Sequence, residues 1–172
     1  MKIAILYGTK YGTTEKAAEL ISEKISELAD NNDINKDDNE SIDLKLINLK
    51  EKNDILLDFD VFIIGSSVYM GGIRKEVKNF IRKYKDFLIE KQTALFICGC
   101  NDDDGIKQIN KTFPPEIVDN AIATAFLGGE LNIDKMNFFD KKIAQLIIKG
   151  ADEFKIDDVS IDEFVEKIKL SV

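Results

Sequence analysis

The sequence predicts an α/β fold, a doubly wound sheet of five parallel strands with helices on both faces. Three observations lead there. Short runs recur that are apolar on both faces, as strands buried between two helical layers must be. Between them lie stretches whose apolar residues repeat at helical spacing. The chain has 172 residues and is 44% apolar, without repeat or linker, which suffices for one domain with its own core.

The elements follow in order. Residues 2–7, rich in isoleucine, make the first strand and stop at Gly8. Ala17, Leu20, Ile21, Ile25 and Leu28 then share one helical face, giving an amphipathic helix over 13–29. Residues 30–40 hold five acids against one lysine, half of the net charge of −8, and read as a mobile acidic loop. Leu44 and Leu46 alternate with charged residues as in a half-buried strand, and Val61, Phe62, Ile63 and Ile64 form a fully apolar one. Ile73, Val77, Phe80, Ile81 and Tyr84 make the next helical face, and residues 94–98 another buried strand. The helical pattern of Ile106, Ile109, Phe113 and Ile117 is broken at Pro114 and Pro115. Residues 121–127 supply the fifth strand, followed by helical faces on Ile143, Leu146 and Ile147 and on Ile161, Phe164, Val165 and Ile168. Residues 1–172 are thus expected to form one domain, with 151–172 as a C-terminal extension carrying a helix.

Composition excludes several chemistries. The chain has no histidine and no tryptophan, which removes histidine-based nucleophile systems, histidine general bases, the usual zinc sites and histidine-ligated haem. No metal site and no catalytic side chain stand out. A net charge of −8 repels nucleic acid and anionic lipid. No apolar stretch approaches the ~18 residues that span a membrane, and the first apolar run lacks the length and cleavage site of a signal peptide. Cys98 and Cys100 stand too close together for a disulfide framework. A cytoplasmic protein is expected.

In open parallel sheets, ligands sit beyond the carboxyl ends of the strands where strand order reverses. The informative residues are therefore 7–14, 66–72 and 98–105. The first of these loops reads Thr9-Lys10-Tyr11-Gly12-Thr13-Thr14 and runs straight into a helix. Hydroxyls plus free amides at a helix N-terminus form an anion site; the plainer reading is that Thr13 or Thr14 only caps the helix. Neither G-x-G-x-x-G nor G-x-x-x-x-G-K-[ST] is present. The strand ends carry Tyr7-Gly8 and Gly65-Ser66, without the acids that a phosphoryl-accepting receiver domain needs there.

The T-x-x-G-x-T pattern of residues 9–14 resembles the phosphate loop of flavodoxins. The resemblance extends through residues 60–65, the Ser66-Ser67-Val68-Tyr69-Met70-Gly71-Gly72 loop and residues 94–100. Within that family the chain is most similar to the branch that includes the flavodoxin-type protoporphyrinogen dehydrogenase. The cues are Gly65-Ser66-Ser67-Val68-Tyr69 and the stretch Gly128-Gly129-Glu130-Leu131 with Lys135-Met136-Asn137-Phe138-Phe139.

The resemblance implies a flavodoxin-like fold with FMN as cofactor. Thr9, Lys10, Tyr11, Gly12, Thr13 and Thr14 would wrap the phosphate, with Lys10 either turned to solvent or screening the dianion. Ser66, Ser67, Val68, Tyr69, Met70 and Gly71 would line the ring, Tyr69 stacking on it or sealing the loop. Cys98, Gly99, Cys100 and Asn101 would form the third wall. The two cysteines read either as a redox pair, though one intervening residue strains any disulfide, or as small residues at a strand end. Asp102, Asp103 and Asp104 follow. One carboxylate ~8 Å from the ring, at an effective dielectric of ~20–40, opposes a new flavin anion by roughly 1–2 kcal/mol, and ~1.4 kcal/mol corresponds to ~59 mV for one electron. The plainer reading is a solvated turn with an aspartate capping the next helix. Met136, Phe138 and Phe139 either frame a flat apolar substrate or return to the core.

The resemblance implies electron transfer between protein partners, a reductase and an acceptor. Its alternative is an FMN-dependent oxidoreductase acting on a quinone or a porphyrinogen.

Overall fold

The computed structural model describes residues 1–31, 42–51, 57–100, 105–130, 133–138, 140–142 and 155–171. In chain order the elements are β1 (Lys2–Gly8), α1 (Thr13–Asn31), β2 (Asp43–Asn48), β3 (Val61–Tyr69), β4 (Gly72–Ile73), α2 (Lys75–Ile89), β5 (Gln92–Cys98), α3 (Gly105–Thr112), α4 (Pro115–Asp119), β6 (Ala121–Phe126), a 3-10 turn at Ile133–Lys135 and α5 (Asp158–Ser171). The strand order is β2-β1-β3-β5-β6, with β4 paired only to β3. The five long strands are parallel throughout, so the expected doubly wound α/β fold is present.

Period-two alternation divides the core. Ile3, Ile5 and Tyr7 of β1 face α1 and α5 with Ala17, Ile21, Ile161 and Phe164. Ala4 and Leu6 face the opposite layer with Val77, Phe80 and Ile81 of α2 and with Ile109 and Ile117. Aromatic rings lock both layers, edge to face, at 5.4 Å between Phe62 and Phe87 and 6.1 Å between Phe96 and Phe164. The expected C-terminal helix is α5, and its Ile161, Phe164, Val165 and Ile168 are all buried in the first layer.

Two boundaries beside the site differ from the sequence expectation. β3 runs past Ile64 to Tyr69, so residues 66–69, expected as loop, continue the strand and then turn back through β4. Ile73, expected on the α2 face, is therefore a strand residue. The turn between them is the two-residue Met70-Gly71, with φ of 49° and 76°, the positive values that a tight hairpin needs. The acidic loop expected over 30–40 starts later, because α1 runs on to Asn31; its residues 32–40 and the helical face expected on Ile143, Leu146 and Ile147 lie outside the described residues.

Candidate functional site

β1 and β3 are neighbours, while β1 also pairs with β2 on its other edge. Strand order therefore reverses between β1 and β3, and the crevice opens at their carboxyl ends. Three of the expected segments meet there: residues 9–14 from β1, 66–71 from β3 and 98–100 from β5. Asn101 and the Asp102, Asp103 and Asp104 run lie outside the described residues.

The first loop is held by its own polar groups. The Gly12 N–H donates to Thr9 Oγ1 at 2.9 Å. Gly12 sits at φ 97°, a conformation that a side chain disfavours, and its carbonyl accepts from the Lys16 N–H at 3.0 Å, opening α1. Thr13 donates through Oγ1 to the Glu130 carbonyl at 3.0 Å, and the Tyr7 phenol donates to Glu15 Oε1 at 2.8 Å. Thr14 is wholly buried, and its hydroxyl has no hydrogen-bond partner of good geometry. Neither threonine caps α1 with its side chain, so the plainer reading of this loop does not hold.

On β3, Ser66 is a structural hydroxyl: Oγ donates to the Ser67 carbonyl at 3.0 Å and accepts from the Arg74 N–H at 2.9 Å. Ser67 Oγ is buried and, like Thr14 Oγ1, unpartnered. Ser67 pairs in register with Cys98, and the Cys98 thiol lies beside the Thr14 hydroxyl, whose slight downward pull on its pKa is outweighed by burial, which pushes it up to about 12. Both cysteines are free thiols, and burial also raises Cys100. The Gly99 N–H is taken by the Gly128 carbonyl at 2.9 Å.

The segment after β6 closes over this edge. Glu130 pairs with Lys16 at 2.6 Å, and the Lys135 ammonium comes 3.5 Å from where a Cβ on Gly12 would lie. Asp140 was not among the residues the sequence singled out. Its carboxylate is 6% exposed and accepts from the phenols of Tyr11 and Tyr69 and from the Lys10 ammonium at 2.5 Å. Asn137 Nδ2 donates to it at 3.2 Å. Lys10 first, then Tyr11 and Tyr69, hold the Asp140 carboxyl down at about 2. Burial and the Asp140 hydrogen bond push Tyr11 up to about 12, and the same acceptor raises Tyr69. Lys10 is thus neither turned to solvent nor idle: its ammonium lies 3.5 Å from the centroid of the Tyr69 ring. Met70, in the turn after β3, and Phe138, next to Asn137, are 85% and 66% exposed.

A family model described as Flavodoxin domain matches residues 4–157. The chain belongs to the flavodoxin domain family. As a member it binds FMN. Among solved structures, a short-chain flavodoxin associated with a non-canonical PDU bacterial microcompartment is 13% identical with a TM-score of 0.56, covering 99% of this chain and 98% of that one. Rubredoxin oxygen:oxidoreductase from Desulfovibrio gigas is 13% identical with a TM-score of 0.55, covering 98% of this chain and 36% of that one. The flavodiiron protein of Giardia intestinalis gives 13% and 0.54 over 98% and 36%. The chain therefore spans about a third of those two larger proteins, and at such identity the likeness is one of fold. A comparison with curated proteins found no match.

The residues present fit FMN. Two buried hydroxyls, Thr14 Oγ1 and Ser67 Oγ, lack partners at the crevice, and a buried hydroxyl without a partner is costly enough to mark a missing one. Residues 9–14 contain no acid, and α1 presents its first amides to the same place. Among the described residues no group of three or more histidine, cysteine, aspartate or glutamate side chains could hold a metal ion. Among them, too, no helix is long and apolar enough to cross a membrane.

Proposed function

We propose that this protein, as a single cytoplasmic domain, carries electrons between protein partners, a reductase and an acceptor, through bound FMN. The observation that carries the reading is the pair of buried hydroxyls, Thr14 Oγ1 and Ser67 Oγ, left without partners where the loop after β1 meets the end of β3, a need that the polar groups of a bound flavin nucleotide would meet. FMN supplies one- and two-electron transfer when bound. The protein's own share is then binding, insulation and presentation.

Thr9, Thr13, Thr14 and the amides of residues 9–14 hold the phosphate in this reading. Ser67, Val68, Tyr69, Met70 and Gly71 from β3 and its turn, with Cys98, Gly99 and Cys100 from β5, line the ring. Met70 keeps a side chain at a positive φ and leaves it 85% exposed. A strained, apolar, exposed residue at the mouth of a site suits transient docking of a partner. The net charge of −8 favours partners with a basic face and makes association fall with added salt.

A second reading is an FMN-dependent oxidoreductase of the protoporphyrinogen dehydrogenase or quinone reductase type. Phe138, exposed in the segment that carries Asn137 and Asp140, favours it, since an aromatic side chain beside the site suits a flat apolar substrate. Stopped-flow oxidation of the photoreduced protein separates the two. Carriage between proteins predicts rapid, salt-sensitive oxidation by a basic redox protein such as a cytochrome, and slow oxidation by a menaquinone analogue. The reverse order supports the oxidoreductase.

A further inference from the structure

Asp140 is a nearly buried carboxylate, and such a charge is costly unless paired and hydrogen-bonded. Here it is served by four donors from three parts of the chain: Lys10 and Tyr11 from the first loop, Tyr69 from the end of β3, and Asn137 from its own segment. Asn137 also fixes its backbone, since the Asp140 N–H donates to Asn137 Oδ1 at 2.9 Å. One side chain therefore joins the loop assigned to the phosphate with the residue assigned to the ring.

The consequence concerns Lys10. It lies within residues 9–14, and an ammonium on a flexible four-carbon stem is a natural partner for a phosphate dianion. The structure turns it the other way, onto Asp140 at 2.5 Å and over the Tyr69 ring at 3.5 Å. A cation between a carboxylate and an aromatic face is doubly held.

We propose that Asp140 is a positioning residue that withholds the Lys10 ammonium from the FMN phosphate and holds it against Tyr69, leaving the phosphate to hydroxyls and amides. This rests on the reading that residues 9–14 hold the phosphate. Lys10 then places its charge at the ring side of the site, and the two loops close as one unit through a single carboxylate.

The test uses the full chain stripped of flavin and titrated with FMN and with riboflavin, which lacks the phosphate, by quenching of flavin fluorescence. Asp140→Asn frees Lys10 and is expected to raise the preference for FMN over riboflavin about tenfold, the worth of one charge-assisted contact. Adding Lys10→Met to that variant abolishes the gain. Lys10→Met alone changes both affinities by the same factor. The proposal is overturned if Lys10→Met alone costs FMN about tenfold and spares riboflavin, because Lys10 then already serves the phosphate. It is overturned equally if Asp140→Asn weakens both flavins alike. Should Asp140→Asn not fold, Lys10→Met decides alone. Thr14→Val separates the underlying reading: if that variant keeps the full preference for FMN, the phosphate is not held by residues 9–14.

Discussion

Thr14→Val should move stability and cofactor affinity in opposite directions. Valine keeps the branched shape of threonine and removes only the hydroxyl. That hydroxyl is buried, and no hydrogen bond of good geometry from the protein satisfies it. A buried polar group left unsatisfied costs about 1–3 kcal/mol, so its removal should stabilise the flavin-free chain by about 1 kcal/mol or somewhat more. A hydrogen bond to a charged acceptor contributes about 1.5–3 kcal/mol, so the same change should weaken FMN roughly 10- to 100-fold. Riboflavin, without the phosphate, should bind within about twofold of its original affinity. Urea unfolding reads the first effect as a shifted midpoint at constant slope, and fluorescence titration reads the second. A flavin-free variant that is less stable and binds FMN unchanged would refute the reasoning, because the hydroxyl would then serve the fold, through Cys98, and not the cofactor.

Three further outcomes follow from the packing and the charges. Gly65→Ala would bring a Cβ within 2.0–2.5 Å of three ring atoms of Phe96, a fully buried side chain, and should cost about 2–3 kcal/mol in urea unfolding; Phe96→Leu in the same chain should return part of it, and a Gly65→Ala protein of unchanged stability contradicts the tight β3–β5 contact. Met70→Gly should raise stability by up to about 1 kcal/mol, since glycine accepts the φ of 49° without strain, while slowing electron exchange with a protein partner; a loss of stability above about 1 kcal/mol argues against a strained turn. Acid stability should depend on Asp140, whose carboxyl is held at about 2 by Lys10, Tyr11 and Tyr69. Because the unfolded chain takes up this proton near pH ~4, the stabilisation is complete above that value and is lost as pH falls toward ~2. Asp140→Asn should flatten the unfolding midpoint across that window, and an unchanged pH profile would contradict the hub.

Sequence alone carried the fold further than it carried the site, for reasons visible in particular residues. β1, β3 and β5 were legible because their residues are apolar on both faces, a pattern that only a strand covered on two sides requires. The hairpin at Met70-Gly71 was not, because Ser66 and Ser67 read as loop residues, although the ladder to β1 and β5 holds them in the strand. Ile73 fitted the helical spacing of Val77 and Phe80, but Arg74 is extended, with φ −59° and ψ 143°, and α2 begins only after it. The phosphate loop was legible as a local pattern. Asp140 was not: it is one aspartate between Phe139 and Lys141, and its partners Tyr11 and Tyr69 lie 129 and 71 positions away. The nearest local signal was Asn137, three residues before it, which is itself a common helix-opening residue. Lys10 shows the same limit from the other side. Its place in the loop suggested the phosphate or solvent, and a distant carboxylate decided otherwise.

The central claim is that the crevice between β1 and β3 binds FMN through the loop of residues 9–14. Titration of the flavin-stripped chain with FMN, followed together by visible absorbance and flavin fluorescence, tests it most directly when run beside Thr14→Val. One FMN per chain with quenched fluorescence is expected, and a 10- to 100-fold weaker titration for the variant. A chain that leaves the FMN spectrum and fluorescence unchanged, or a variant that binds as tightly as the parent, would contradict it.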